Sequence, residues 1–267
     1  MLMGGKSNIL GVLIDAVDYQ GAVDIVIHAA NRKKPVIVSA LAVHGLMTGV
    51  LDREQLFRLN HFDLLVPDGQ PVRWVLNVVH KKNLRDRVYG PNLTLRICDR
   101  AARDKLPVYF YGGTPQIVAA LRSALKNRFP RLIVAGAEPS KFRQLTQDEK
   151  GRLALRIQAS GAAILFVGLG CPRQEIFAYE FRDLMAMPIL AVGAAFPFLA
   201  GILPQAPGWM QRFGLEWLYR LGSEPRRLWR RYLLLNPAYI FLVLLQALGI
   251  SKFPTTGKPP SHEHLYG

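Results

Sequence analysis

The 267-residue sequence predicts an α/β fold: a mainly parallel sheet flanked by helices on both faces, followed by a C-terminal helical appendage. Three observations carry this. Short β-branched apolar runs alternate with longer amphipathic stretches. The runs are almost continuously apolar rather than alternating, as strands covered on both faces are. After Gly201 the strand signals stop, and an aromatic, arginine-rich and then wholly apolar stretch follows.

In chain order, strands are expected at 9–17 (ILGVLIDAV), 36–40 (VIVSA), 62–67 (FDLLVP), 107–113 (PVYFYGG), 132–138 (LIVAGAE), 163–170 (AILFVGLG) and 188–196 (PILAVGAAF). Helical patterns lie between them, as at Pro115–Arg128 and Thr146–Ser160. Residues 1–203 form the expected core and 204–250 the appendage. The Pro/Gly/polar composition of 251–267 suggests a disordered tail. No internal repeat is visible.

Composition narrows the partners. A hydrophobic content of 50% supports a sizeable core. Lys and Arg number 34 against 19 Asp and Glu, a net charge of +15, which favours phosphorylated substrates, an anionic membrane surface or nucleic acid. Two cysteines, Cys98 and Cys171, make no disulfide framework and suit a reducing cytosol. The apolar run Ile9–Ile14 is short, meets Asp15 and lacks a cleavage site, so no signal peptide is expected.

Parallel sheets bind ligands beyond the carboxyl ends of their strands. Three strand ends here carry suitable punctuation. In LLVPDGQPVRW, Asp68 and Gly69 follow a buried strand and Pro71 can open a helix. The choice for Asp68 is between a solvated turn and a catalytic base. In YFYGGTPQ, Gly112 and Gly113 end a strand, with Thr114 as N-cap and Pro115 at N1. LFVGLGCPRQE repeats the design with Gly168, Gly170 and Pro172. Glycines admit a ligand to the backbone, and helix N-termini offer free N–H groups to phosphate.

In the appendage, Ser223 and Pro225 mark a helix start near 224. At ~100° per residue, Arg226, Arg230, Arg227 and Arg231 fall at about 0°, 40°, 100° and 140°, with Leu235, Leu228, Tyr232 and Trp229 on the other side. The cluster suits phosphate, which arginine grips bidentately. The uncharged stretch Asn236–Ile250 has its own start signal in Asn236 and Pro237. A helix from Pro237 to Ile250 would be about 21 Å long, short of the ~30 Å hydrocarbon core, which suggests an interfacial segment. A buried helix or a homo-oligomer contact is the plainer reading of it.

Taken in order, VPDGQPVRW, RVYGPNL, VYFYGGTPQ, FVGLGCPRQE, AVGAAFPFLAG and APGWMQRFGLEWLYRLGSEPRRLWRRY resemble the WecG/TagA/CpsF family of bacterial glycosyltransferases over roughly residues 9–235. The resemblance implies a single Rossmann-like domain with a helical appendage. It implies inverting transfer from a UDP-sugar to a polyprenyl-diphosphate-linked saccharide, without metal or other cofactor, at the cytoplasmic face of the membrane. It makes Asp68 the general base and puts Ser39, where a threonine is usual, near the donor sugar. Arg87 and Asn92 fall in an Arg-Val-x-Gly-x-Asp-Leu motif, with asparagine for aspartate. Gln174 falls on the glutamine of Pro-Lys/Arg-Gln-Glu, near sugar or phosphates. Arg220, Arg227 and Arg230 match appendage arginines that close over the diphosphate. The sequence departs at Leu41 (often asparagine), Pro197 (aspartate) and Gln205 (arginine). The loss of the asparagine amide puts N-acetylmannosamine as donor in question, and His44 lies close enough in sequence to compensate.

The residues themselves agree with this. No Asp-X-Asp supplies a metal clamp for a nucleotide diphosphate. Arginines must then neutralise the leaving group, and an attacking hydroxyl needs a base. Cys171 has no histidine near it in sequence and is not expected to act as a nucleophile. A nucleic-acid-binding protein would use the basic helix but leaves Asp68 and the three loops idle, so nucleic acid is not the expected partner. An oxidoreductase would need Gly-x-Gly-x-x-Gly after its first strand, and IDAVDYQGAV has one glycine.

Overall fold

The computed structural model describes residues 3–267, except for the side chains of Met3, Arg227 and Arg231. Its strands are β1 (Met3–Ile9), β2 (Val12–Val17), β3 (Ile37–Leu41), β4 (Leu64–Pro67), β5 (Val108–Gly112), β6 (Val134–Glu138), β7 (Ile164–Gly168) and β8 (Ile189–Ala191). Core helices are α1 (Tyr19–Asn31), α2 (Val43–Leu51), α3 (Arg53–Asn60), α4 (Gln70–Val78), α5 (Gly90–Asp104), α6 (Pro115–Arg128), α7 (Gln147–Ala159), α8 (Arg173–Phe181) and α9 (Ala195–Leu199). The appendage holds α10 (Gly208–Arg212), α11 (Glu216–Ser223) and α12 (Pro225–Ala247).

Six strands form one parallel sheet in the order β4-β3-β8-β7-β5-β6. Because all six run the same way, the ends of β3, β4, β7 and β8 meet at one edge. Each face of the sheet has its own core. One packs Ile37, Leu41, Leu65, Leu165 and Val167 against α2, α3, α4, α7 and α8. The other packs Val38, Val66, Phe110 and Phe166 against α1, α5, α6 and α9. This alternation within β3 decides where Ser39 goes: it faces α8, on the side of Ile37 and Leu41.

The expected strand 9–17 is instead the second half of an antiparallel hairpin, β1–β2, outside the sheet. Leu10 (φ 53°) and Gly11 (φ 91°) make the turn. Leucine rarely adopts φ > 0, so only Gly11 marked the turn in sequence. The turn is held from afar: Leu10 N–H donates to Gln246 Oε1 at 2.9 Å, and Gly11 N–H to Asn8 Oδ1 at 2.7 Å. The other strands lie within the expected segments, apart from an extra Leu41 at the end of β3, and several are shorter. PILAVGAAF ends early, because its last two residues already belong to α9.

The appendage differs in a second way. One 23-residue helix, α12, replaces the two expected there, with Pro237 inside it. Pro237 is exposed, so the carbonyl it leaves unpaired can be solvated. Leu228, Tyr232 and Tyr239 are buried against the rest of the protein. Leu233, Leu234, Ile240, Phe241, Leu244 and Leu248 are each more than half exposed. They fall within about 120° on one side of the helix. Arg226 and Arg230 lie on this outer side near the N-terminal end, so the exposed face runs from cationic to apolar. By length and composition alone, Leu228–Ala247 could cross a membrane, a longer stretch than the interfacial segment expected from 237.

The tail 251–267, expected to be disordered, lies along the core. Its backbone finds side-chain partners there: Phe253 O accepts from Asn8 Nδ2 at 2.9 Å, and Thr255 O from Asn60 Nδ2 at 2.7 Å. Farther on, Glu180 accepts the N–H groups of His264 and Leu265 at 2.6 and 3.0 Å. Composition alone does not reveal such partners.

Candidate active site

The carboxyl edge of the sheet opens a cavity of about 360 Å³. Four strand ends line it: Leu41 and Ala42 after β3, Asp68 and Gly69 after β4, Gly168–Cys171 after β7, and Val192–Ala195 after β8. The appendage supplies the opposite wall, through Glu216, Trp217, Arg220, Tyr232 and Asn236.

Asp68 is half-buried on this edge. Its backbone N–H reaches Leu41 O at 3.3 Å, and its Oδ1 accepts from Gly90 N–H, in the first turn of α5, at 3.3 Å. Pro71 stands in the first turn of α4, as VPDGQP foretold, and Gly69 caps it. Desolvation pushes the Asp68 carboxyl up to about 7; Arg87 pulls down, Glu216 pushes up, and Gly90 N–H and Arg220 pull down. A carboxylate titrating there can both accept a proton and be ionised at neutral pH, as a general base requires.

Arg87 lines the cavity and is paired. Its Nη2 lies 2.5 Å from Glu216 Oε2, and its guanidinium stacks 4.3 Å from the Tyr89 ring centroid. Arg220 also lines the cavity, 5.6 Å over the Phe198 ring. Arg230 is exposed, stacks on Trp229 at 5.2 Å and is not part of the lining. The Arg227 side chain lies outside the described residues. Asn92 is exposed on α5 and interacts with Tyr19 rather than lining the cavity.

Ser39 is fully buried behind the cavity wall. It pairs between Leu65 and Ala191 in the middle of the sheet. Its Oγ donates to Glu175 Oε1 at 2.9 Å, and Gln174 Nε2 donates to the same oxygen at 2.9 Å. Gln174 and Glu175 occupy the first turn of α8 and both line the cavity. Glu175 therefore lies between Ser39 and the cavity, and Ser39 itself is not part of the lining. Two further acids of the lining, Glu175 directly after Gln174 in CPRQE and Glu216 in RFGLEWLYR, carry no local signal beyond their charge.

The YFYGGTPQ loop does not reach this cavity. Gly112 (φ 125°) passes so close to β7 that a Cβ there would fall 2.6 Å from the Gly168 carbonyl carbon. Thr114 caps α6 by accepting from Ile117 N–H at 3.3 Å. Gly113 lines a second cavity of about 220 Å³, with Ser140, Arg143, Gly168, Arg173 and Tyr266. Gly168 lines both.

Leu41 and Pro197 line the main cavity, as do His44 and Cys171; Gln205 is exposed and not part of the lining. Among the described residues, no group of three or more His, Cys, Asp or Glu is placed to hold a metal ion.

A six-stranded parallel sheet flanked by helices, with a cavity at its carboxyl edge and a titratable carboxylate on the rim, defines a Rossmann-like α/β protein. The family model described as "Glycosyl transferase WecG/TagA/CpsF family" matches residues 7–252, and the chain belongs to that family and is a glycosyltransferase. It is 32% identical over 201 residues, 75% of each chain, to a Bacillus spizizenii protein named N-acetylglucosaminyldiphosphoundecaprenol N-acetyl-beta-D-mannosaminyltransferase. A Bacillus subtilis protein of the same name is 26% identical over 218 residues, 81% of this chain and 82% of that one.

Proposed function

We propose that the protein transfers a sugar, with inversion, from a UDP-sugar to a polyprenyl-diphosphate-linked saccharide during assembly of a bacterial cell-surface polysaccharide. The two Bacillus relatives are named for transfer to a diphosphoundecaprenol-linked sugar, which supports a lipid-linked acceptor for this chain. The observation that carries the mechanism is Asp68, a desolvated carboxyl on the cavity rim between Gly90 N–H, Arg87 and Arg220.

In this reading an acceptor hydroxyl attacks the anomeric carbon as the bond to UDP breaks. Asp68 takes the hydroxyl proton, and the new glycosidic bond forms on the opposite face. The departing diphosphate gains negative charge. Arg220 and Arg87 meet it, with Arg87 held in place by Glu216 until substrate arrives; Arg230, on the outer side of the appendage, serves the acceptor's membrane-held end rather than the cavity, and Arg227 is assigned to the diphosphate by the family resemblance alone. Asn92 and the loop Gly112–Thr114 act in support rather than in contact, and Gly69 and Gly168 let the donor approach the backbone.

The appendage also places the enzyme on the membrane, as a peripheral protein at the cytoplasmic face. Its outer side has the order such a task needs, cationic residues for anionic headgroups and then an apolar stripe for the acyl boundary. The acceptor's lipid stays in the bilayer while its sugar reaches Asp68. The test is a transfer assay with purified enzyme, a panel of UDP-sugars and a polyprenyl-diphosphate-linked N-acetylglucosamine. Product is expected with at least one donor, with inverted anomeric configuration by NMR. A retained configuration contradicts the mechanism, and no product with any donor contradicts the reading.

A further inference from the structure

We propose that Glu175 is a specificity-determining residue for the donor: its second carboxyl oxygen and the amide oxygen of Gln174 together receive hydroxyl groups of the transferred sugar. The inference rests on the transferase reading above.

Glu175 is 1% exposed and Gln174 4% exposed, yet both line the main cavity. Ser39 Oγ and Gln174 Nε2 both donate to Glu175 Oε1, and the Cys171 side chain and the Glu175 backbone N–H also act on the carboxyl. Glu175 Oε2 and Gln174 Oε1 have no partner. Buried acceptors are almost always paired in native proteins, so two unpaired ones on successive residues that line a cavity point to a ligand that brings donors.

The chemistry narrows that ligand. A diphosphate brings only acceptors and negative charge, and this corner would repel it. Arg87 and Arg220 also line the cavity and are the groups that suit phosphate. Sugar hydroxyls fit the acceptor corner and can donate or accept. This matters because burial raises the Glu175 carboxyl, while hydrogen bonds from Gln174 and Ser39 draw it back. A hydroxyl meets either protonation state.

The surroundings are built to keep the corner fixed. Ser39 sits in the middle of the sheet and cannot move without it, so its hydroxyl anchors the carboxyl from behind. Gly193 (φ 49°) leaves space for the amide, since a Cβ there would lie 2.7 Å from Gln174 Oε1. Leu41, across the lining, offers a sugar no hydrogen bond. Sites that pair a substrate hydroxyl in this way reject analogues that lack it.

The test is calorimetric titration of the full-length protein with UDP, UDP-glucose, UDP-N-acetylglucosamine and UDP-N-acetylmannosamine, comparing wild type with Glu175→Gln and Ser39→Ala. Glu175→Gln keeps the size but turns one acceptor into a donor. Wild type is expected to bind at least one UDP-sugar more tightly than UDP. In Glu175→Gln that UDP-sugar should weaken at least ~10-fold while UDP changes less than about twofold. Ser39→Ala should show the same selective loss, smaller in size. Equal weakening of UDP and UDP-sugar, or no weakening, overturns the inference and leaves the transferase reading intact. Failure of wild type to bind any uridine nucleotide overturns the reading itself. Should Glu175→Gln not fold, Ser39→Ala decides alone, and unchanged selectivity in it overturns the inference.

Discussion

Arg87 and Glu216 form an ion pair across the cavity, 2.5 Å between Nη2 and Oε2, with the arginine from the core and the glutamate from the appendage. The side chains are only 8% and 12% exposed, so the pair is largely desolvated and each partner depends on the other. It also sets the field at Asp68, which Arg87 lowers and Glu216 raises.

Glu216→Gln should therefore move the acid limb of the pH–kcat/KM profile to lower pH. Removing the glutamate charge takes away one influence that raises Asp68 and leaves Arg87 unneutralised, and both changes favour the carboxylate. The measurement is kcat/KM from pH 5 to 9. An acid limb that stays in place, or moves up, would show that Asp68 does not govern it.

Asp68 should also cost stability at high pH. Its folded carboxyl titrates at about 7 and its ordinary value is 3.8, so the folded state binds the proton more tightly. Stability then falls as pH rises between those values, because the unfolded state holds fewer protons there. Asp68→Asn, which cannot ionise, should melt a few degrees higher than wild type at pH 8. The gap should narrow toward pH 4. A variant less stable than wild type at pH 8 contradicts this environment for Asp68.

Transfer should survive metal removal. In the proposed mechanism the charge on the leaving diphosphate is met by Arg87 and Arg220. The expected outcome is an unchanged rate, within about twofold, in excess EDTA. A rate abolished by EDTA and restored by Mg²⁺ or Mn²⁺ would show that the arginines do not suffice.

The outer stripe of α12 should be needed for membrane binding and not for folding. Ile240→Glu, Phe241→Glu and Leu244→Glu together alter side chains that are each more than half exposed. The triple variant should keep the wild-type melting temperature within about 2 °C, as surface changes generally do, and fail to float with anionic liposomes. Undiminished flotation would assign the stripe to something else, such as contact with a second copy.

Much of the fold was legible because its elements are local. β4, β7 and the start of α6 carry their signals in adjacent residues: an apolar run, a glycine, a capping threonine, a proline. The position of Asp68, at the end of β4 and on the cavity rim, was legible for the same reason. What sequence could not show depends on distant partners. Leu10 turns the hairpin with help from Gln246, over two hundred residues away. The tail is ordered by the side-chain amides of Asn8 and Asn60, which donate to its carbonyls, and by Glu180, which accepts from its N–H groups. Ser39 looked like a site hydroxyl, but its register between Leu65 and Ala191 buries it behind Glu175. Pro237 resembled a helix start because exposure, which lets α12 run through it, is not written in the local sequence.

The central claim is that Asp68 removes the acceptor proton. Its most direct measurement is turnover and UDP-sugar affinity of Asp68→Asn, an isosteric change that keeps a hydrogen-bond acceptor for Gly90 N–H. The account predicts donor affinity within about threefold of wild type and a kcat lower by about 10²–10⁴, the usual worth of a positioned base. Turnover within a few-fold of wild type, in a variant that binds donor normally, would contradict it.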